Sequence, residues 1–326
     1  TLLTGDSTLR RRPVGQLMAA LQQLGAEVIS LQDNGCPPVM VDGRGFTGGT
    51  ARLEGDVSSQ FVSALLLACS RGDIDSSIEL TTRLESRPYV RMTLAMMQRF
   101  GVHADVSEDW REFFVSGGQT YRCCNYDVEG DYSSAAFILA AGTLCGRVTV
   151  SGVSHDSLQG DALFVDILRE MGARVTTAST TVTAEANELR PVDVDVSDTP
   201  DLVPILVVLA SQAEGQTTLR GVRRLRMKES DRVAAISNEL SKMGASIHSD
   251  HDTMTVRGPT PLRGAVIDPH KDHRIAMACT VAALVASGKT TIVDAECVAK
   301  SYPGFFATLK TIGAAVEERP RGPTTV

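Results

Sequence analysis

The chain has 326 residues, of which 43% are hydrophobic and 22% charged, and its formal net charge is −7. This length can bury large cores in two domains, whereas the acidic balance argues against a nucleic-acid-binding protein and no run approaches the ~20 apolar residues of a membrane helix. Seven cysteines, an odd number without a C-x-x-C pair, indicate reduced thiols and a cytoplasmic protein. From the charge and the lack of a membrane helix, neither nucleic acid nor a membrane is expected as a partner.

Five amphipathic segments along the chain each end in an apolar residue and a glycine. In the first, Leu17, Leu21 and Leu24 fall on one helical stripe. A glycine at this place suits the left-handed position after a helix. The five recur about every 70 residues, which indicates one supersecondary unit used repeatedly; they are Gly25, Gly101, Gly172, Gly244 and Gly313.

A second signal keeps the same period. An aspartate opens an apolar run after a strand-like segment at Asp56, Asp131, Asp201 and Asp272, and we predict that each caps the helix it begins. Strands are predicted between the helices at 39–41, 50–55, 78–80, 147–150, 181–183, 192–196, 217–219 and 290–293. The pattern predicts an α/β protein of about four and a half repeated units, beginning at Thr1 inside a repeat.

The loops before the glycine-terminated helices are polar and often cationic. They are Arg10–Pro13, Ser86–Pro88, 157–159, 226–232 and 300–303. Helix N-termini carry free N–H groups and the positive end of the helix dipole. Several such loops that converge on one cleft would bind a small ligand with phosphate or carboxylate groups.

Two charged segments stand beside apolar helices. Lys228, Glu229, Asp231 and Arg232 crowd one turn, and residues 272–274 read Asp-His-Arg. Half-buried charges need partners, so a purely structural explanation is disfavoured. The pairs His248/His251 and His270/His273 lack a third ligand and helical i, i+4 spacing, so neither a metal nor another cofactor is expected.

Eight motifs in chain order resemble those of the EPSP synthase (3-phosphoshikimate 1-carboxyvinyltransferase) family. They are LTGDSTLRRRP (3–13), GDVSSQFVSALL (55–66), ESRPY (85–89), EGDYSSA (129–135), LQGD (158–161), RMKESDR (226–232), DHRIAMA (272–278) and AKSYPGFF (299–306). The resemblance implies the enolpyruvyl transferase fold, two domains of three βαβαββ units each. We therefore expect an incomplete N-terminal domain at 1–128 and a C-terminal domain at 129–326, with the first unit and part of the second missing. At full length, a monomer is expected.

The same resemblance implies a transferase of the shikimate pathway, which leads to chorismate and aromatic amino acids. The 5-hydroxyl of shikimate 3-phosphate attacks C2 of phosphoenolpyruvate, C3 gains a proton, and loss of phosphate restores the double bond. Residues matched to shikimate 3-phosphate binding are Ser58, Ser59, Gln60, Ser86, Asp201 and Lys228. Those matched to phosphoenolpyruvate are Arg12, Gln60, Arg232, Arg274 and Lys300. Asp201, Glu229 and Lys300 are matched to catalysis, the two carboxylates to proton transfer.

Two departures from the family pattern affect the expected activity. A Lys-Ser…Arg motif and a glycine-containing loop that belong to the family's first two units are not found, so this chain is expected to be weakly active or inactive. Arg224 replaces an Asn that touches the shikimate ring in some members, and it is left unassigned.

Three alternatives remain open. They are a UDP-N-acetylglucosamine enolpyruvyl transferase, an RNA 3′-terminal phosphate cyclase and a non-catalytic paralogue. The SSQ (58–60) and KESDR (228–232) segments favour shikimate 3-phosphate as the acceptor.

Overall fold

A computed structural model describes residues 1–319, and the chain folds into two compact units. Unit 1 comprises Thr1–Val128 and Leu158–Gly160, and unit 2 comprises Glu129–Ser157 and the chain from Asp161 onwards. Within the described residues, no helix combines the length and apolar character that crossing a membrane requires.

Unit 1 contains seven strands and three α-helices among its described residues. The strands are β1 (Leu2–Leu3), β2 (Glu27–Ser30), β3 (Val39–Asp42), β4 (Gly49–Leu53), β5 (Ser76–Leu80), β6 (Ala104–Val106) and β7 (Glu112–Val115). The helices are α1 (Gly15–Gln23), α2 (Ser59–Cys69) and α3 (Arg87–Arg99), with a 3₁₀ turn at Leu9–Arg11.

Unit 2 contains nine strands and six α-helices in the part of the chain that the structure describes. The strands are β8 (Arg147–Ser151), β9 (Arg174–Ala178), β10 (Thr181–Glu185), β11 (Asp193–Asp195), β12 (Gly215–Arg220), β13 (Ser246–Ser249), β14 (Thr253–Gly258), β15 (Val266–Ile267) and β16 (Thr291–Ile292). The helices are α4 (Tyr132–Cys145), α5 (Phe164–Glu170), α6 (Val203–Gln212), α7 (Arg232–Lys242), α8 (His273–Ala283) and α9 (Phe305–Thr311). Four 3₁₀ turns lie at Gly160–Leu163, Pro200–Leu202, Arg223–Met227 and Ala295–Lys300.

The predicted repeat is visible in the sheets. Strands β4 to β7 form a sheet in the order β4-β5-β7-β6, and β11 to β14 repeat it as β11-β12-β14-β13. In each sheet the first two strands pair in parallel and the others antiparallel. Two further sheets, β8-β10-β9 and β15-β16, reproduce parts of the same βαβαββ order, and β1-β3-β2 completes the set. All eight predicted strands are confirmed, with shifted ends.

All five predicted helix-ending glycines are confirmed, since each has φ between 79° and 102°. At Gly25 the reason is also steric, because an added Cβ would lie 2.2 Å from the carbonyl oxygen of Gly45. A residue with a side chain would therefore meet both backbone strain and a clash there.

The predicted aspartate caps are right in two cases of four. Asp131 accepts from the amides of Ser133 and Ser134 at 3.1 and 3.0 Å and caps α4, and Asp272 accepts from the amide of Arg274 at 2.9 Å and caps α8. Asp56 and Asp201 do not cap. The N-cap of α2 is Ser58, while Asp56 accepts from the hydroxyl of Thr82 at 2.7 Å.

The core of unit 2 is built around three helices that are buried over most of their surface. Helices α4 and α6 are apolar nearly all round, as expected of a helix without a solvent face, and both contact α8. Unit 1 has its own core, in which α2 packs on the sheet through Leu65, Leu66, Ile78 and Phe113. Each unit thus supplies a rigid base for the loops at its helix ends.

Candidate active site

Arg232 lies at the centre of a group of charged residues in unit 2. It is the first residue of α7, and only 1% of its side chain is exposed. Its guanidinium donates to Asp272 Oδ2 at 2.8 Å through Nε, to Asp201 Oδ1 at 2.6 Å through Nη1 and to Glu229 Oε2 at 2.7 Å through Nη2. These carboxylates outweigh the burial that would otherwise lower the pKa of Arg232 and raise that pKa above its ordinary value.

The second centre of the group is Asp201, which the 3₁₀ turn Pro200–Leu202 presents just before α6. Besides Arg232, its carboxylate meets Arg274 Nη2 at 3.1 Å and Lys228 Nζ at 4.0 Å. Burial by itself would raise the pKa of Asp201, but Arg274, Lys228 and Arg232 together hold it well below the ordinary range. The side chain still has 17% of its surface exposed, so a ligand can reach it.

Lys228 and Glu229 come from the segment between the turn Arg223–Met227 and α7. Burial is the main cause that lowers the pKa of Lys228, with Asp201 opposing it and Arg232 and Arg224 adding to it. Lys228 is half-buried, so water screens its ammonium group less than that of a fully exposed lysine, which favours an anion beside it. Asp201, Lys228, Glu229, Arg232, Asp272 and Arg274 are called the unit 2 charge cluster below.

The start of α8 supplies the remaining members. Asp272 is fully buried, and besides capping α8 it accepts from Ser230 Oγ at 3.0 Å. Arg274 follows in the first turn, where its Nε is buried and has no hydrogen-bond partner among the described residues. Lys300 lies next to this segment, with Nζ 3.4 Å from the carbonyl oxygen of Lys271. The structure thus brings together five of the predicted residues of unit 2 and places Lys300 beside the segment that leads into α8; the five are Asp201, Lys228, Glu229, Arg232 and Arg274.

Sequence reasoning assigned no role to Asp161, although the LQGD motif contains it. Its side chain is 2% exposed, Oδ2 accepts from Ser133 Oγ, and Oδ1 is buried without a partner among the described residues. Burial first, and Asp201 second, raise the pKa of Asp161 to about 6. Asp161 and Asp201 therefore form a pair of carboxyl groups whose pKa values are pushed apart, which is typical of functional sites.

In unit 1, two neighbouring loops carry the predicted serines. Strands β4 and β5 run parallel, so the segments that follow them lie at the same edge of the sheet. The amide of Glu85 donates to the carbonyl of Gly55 at 3.2 Å, and this bond ties the loop before α3 to the loop before α2. Ser58, Ser59 and Gln60 begin α2, and Ser86 begins α3.

These helix starts differ from ordinary caps. Neither Ser58 nor Ser86 caps its helix with its side chain, and Ser86 has φ 54°, a left-handed conformation that is uncommon for a residue with a side chain. Pro88 stands in the first turn of α3, where its missing N–H breaks no bond within the helix. Arg12 is half-buried and lies after the turn Leu9–Arg11 and ahead of α1.

The fold and the residues at its helix starts define a repeated α/β protein, in which helix starts of unit 1 carry hydroxyls and those of unit 2 carry cations and carboxylates. A family model described as EPSP synthase (3-phosphoshikimate 1-carboxyvinyltransferase) matches residues 1–309. The chain belongs to this family, and it is accordingly an enzyme of the transferase class, with 3-phosphoshikimate 1-carboxyvinyl transfer as the activity of its family.

Individual relatives agree. The 3-phosphoshikimate 1-carboxyvinyltransferase of Methanocorpusculum labreanum is 44% identical over 318 residues, which cover 98% of this chain and 74% of that protein. The protein of the same name from Halobacterium salinarum is 46% identical over 323 residues, with coverages of 96% and 74%. A solved EPSP synthase from Acinetobacter baumannii superposes with a TM-score of 0.79 at 28% identity, covering 95% of this chain and 73% of that one.

A more distant neighbour shares the fold. The enolpyruvyl transferase NikO from Streptomyces tendae has a TM-score of 0.75 at 21% identity. The expectation that the first unit and part of the second are missing is not confirmed by these matches and stays a prediction.

Proposed function

We propose that this chain transfers the enolpyruvyl group of phosphoenolpyruvate to the 5-hydroxyl of shikimate 3-phosphate, with release of phosphate, and that the unit 2 charge cluster performs the proton transfer. The observation that carries the proposal is the environment of Asp201, a partly exposed carboxylate in contact with Arg232, Arg274 and Lys228. Cations that can hold phosphate and carboxylate groups thus surround a group that can accept a proton.

Phosphoenolpyruvate is assigned to Arg274, Lys300, Arg232, Arg12 and Gln60. The Nε of Arg274 is buried and has no hydrogen-bond partner in the described chain, so its N–H group can donate to an anion. Arg232 already contacts three carboxylates, and a direct contact to substrate requires one to move. Glu229 is the candidate, because its side chain is 21% exposed while Asp272 is fully buried. Its release from Arg232 would also prepare Glu229 for proton transfer.

The charges around Asp201 imply that substrates bind before Asp201 accepts a proton. In the structure, the three cations make Asp201 a weak base because they keep its pKa low. Anionic substrates neutralise Arg274 and Lys228 when they bind, and the pKa of Asp201 then rises. The base is therefore activated only when the substrates that need it are in place.

Shikimate 3-phosphate is assigned to Ser58, Ser59, Gln60, Ser86, Lys228 and Asp201. The two serine loops of unit 1 offer hydroxyls and backbone N–H groups at the starts of α2 and α3, an arrangement suited to a phosphate. We further infer two enolpyruvyl transferase domains, at 1–128 and 129–326, in a cytoplasmic enzyme that is monomeric at full length and has no nucleic-acid partner. Light scattering on the purified protein tests the monomer.

The first experiment measures phosphate release from phosphoenolpyruvate, with shikimate 3-phosphate and UDP-N-acetylglucosamine offered separately. Slow release that depends on shikimate 3-phosphate is the expected result, because two of the family's motifs are not found in this chain. Release with the nucleotide sugar would overturn the acceptor and retain the fold. Release with neither, together with no binding of shikimate 3-phosphate, would favour the non-catalytic alternative.

Two substitutions test the assigned residues. Asp201→Asn is expected to reduce turnover while substrate binding stays largely intact, and full turnover would discard Asp201 as the proton-transfer group. Lys228→Met removes a half-buried charge and should weaken binding of shikimate 3-phosphate by about 1.5–3 kcal/mol, the scale of a charged hydrogen bond. Lys310→Met, at an exposed position in α9, is the matched control and should leave that affinity unchanged.

A further inference from the structure

Glu239 is a buried carboxylate of unit 2 outside the charge cluster. It lies in α7 with 1% of its surface exposed. Oε2 accepts from the backbone amide of Asp268 at 3.0 Å, and Oε1 lies 3.2 Å from His270 Nε2. Lys242, one turn along the helix, donates to both oxygens at 2.8 and 2.7 Å. Two of its three partners thus belong to the loop between β15 and α8.

That loop has an uncommon backbone. His270 and Lys271 are consecutive residues with side chains, and both are left-handed, with φ 54° and 59°. Such a pair persists only where the surroundings hold it in place, and strained conformations of this kind concentrate at functional sites. The contacts from Glu239 are made directly to the residues that lead into this bend.

The other side of the loop faces the proposed phosphoenolpyruvate site. The carbonyl of Lys271 accepts from Lys300 Nζ at 3.4 Å, and the amide of Asp272 donates to the carbonyl of Pro269 at 2.9 Å. Asp272 then caps α8 and fixes the first turn, where Arg274 stands. A change in the bend would therefore move Lys300 and Arg274, although Glu239 touches neither.

We propose that Glu239 is a positioning residue for Arg274 and Lys300, acting through the loop 268–271; the inference rests on the proposed function. The simpler alternative is an ion pair with Lys242 that stabilises α7 and nothing else. An exposed ion pair at i, i+3 would stabilise α7 without burying a carboxylate. The bonds to Asp268 and His270, in contrast, form only when the carboxylate of Glu239 is buried against the loop.

The test compares three variants of the full chain. Glu239→Ala removes all the contacts to the loop. Lys242→Gln removes the ion pair in α7 and leaves the loop contacts, so it is the matched control. His270→Asn removes the imidazole contact and keeps a residue that tolerates the left-handed conformation. Equilibrium dialysis gives the affinities for phosphoenolpyruvate and shikimate 3-phosphate, and hydrogen exchange follows the amides of 268–272.

Glu239→Ala is expected to speed exchange in 268–272 and to weaken phosphoenolpyruvate binding about tenfold, the scale of a small misplacement of binding groups. Affinity for shikimate 3-phosphate should stay as in the unaltered chain, and Lys242→Gln should behave like the unaltered chain in every measurement. If Glu239→Ala does not fold, His270→Asn decides, with a selective loss for phosphoenolpyruvate expected.

Three results would overturn the inference. One is unchanged phosphoenolpyruvate affinity when exchange in the loop is faster. Another is an equal loss for both substrates together with lower stability, which indicates a structural role alone. The third is the same selective loss in Lys242→Gln. No binding of phosphoenolpyruvate by the unaltered chain would instead contradict the proposed function and remove the inference with it.

Discussion

Asp161→Asn tests the buried carboxyl group beside Asp201. The folded protein raises the pKa of Asp161 from 3.8 to about 6, first by burial and then by the charge of Asp201. A difference of this size corresponds to about 3 kcal/mol between folded and unfolded states. Asparagine cannot ionise, so the variant lacks this contribution at every pH.

The sign follows from proton binding. Because the folded state holds the proton more tightly than the unfolded state, folding is favoured at low pH. This stability is fully present below the unfolded pKa and is lost as the pH rises through about 6. From pH 4 to pH 8, the unfolding free energy of the unaltered protein should therefore fall by about 2–3 kcal/mol relative to that of Asp161→Asn.

Urea unfolding followed by far-UV circular dichroism measures this difference. Trp110, the single tryptophan, lies in unit 1, so its fluorescence reports that unit separately and serves as an internal control. Asp166→Asn, in an exposed position of α5, is the matched variant; it keeps Asp161, so its unfolding free energy should fall between pH 4 and pH 8 as that of the unaltered protein does. Only the change with pH is informative, because the asparagine amide adds a constant cost. A difference between Asp161→Asn and the unaltered protein that is the same at pH 4 and pH 8 would refute the reasoning.

Three further substitutions test how the unit is held together, each by urea unfolding. Arg232→Met leaves three carboxylates without their shared partner and should lower the unfolding free energy by about 3–5 kcal/mol. Arg220→Met breaks an exposed ion pair and should change the unfolding free energy little. Equal losses in the two variants would contradict the importance of burial. Leu206→Ala empties a buried site in α6 and should cost about 2–5 kcal/mol, so a smaller loss would mean that the core collapses around the cavity. Asp131→Ala removes the cap of α4 and should cost about 1 kcal/mol, which an unchanged midpoint would disprove.

Much of the fold was predictable because its signals are local. A glycine after an amphipathic segment ends a helix through its own backbone freedom, and all five such glycines do so. The alternation of strands and helices depends on side-chain periodicity over a few residues, which is why the repeat was recognisable before any tertiary interaction was known. Motif resemblance then selected the site residues, and in unit 2 the structure brings them together.

The outcomes that the sequence could not decide depend on partners far along the chain. An aspartate before a helix satisfies the local requirement for a cap, yet Asp56 binds Thr82, and Asp201 binds Arg232 and Arg274. A carboxylate binds a charged donor more strongly than a neutral one, and for Asp201 the guanidinium groups of Arg232 and Arg274 are therefore preferred over backbone amides. The role of Asp161 was missed for the same reason, since its pKa depends on burial and on Asp201. From the sequence alone, the order and approximate positions of the repeated helices and strands could be predicted. Which charges meet was set by the tertiary structure, because desolvation and Coulomb energy depend on distance in space.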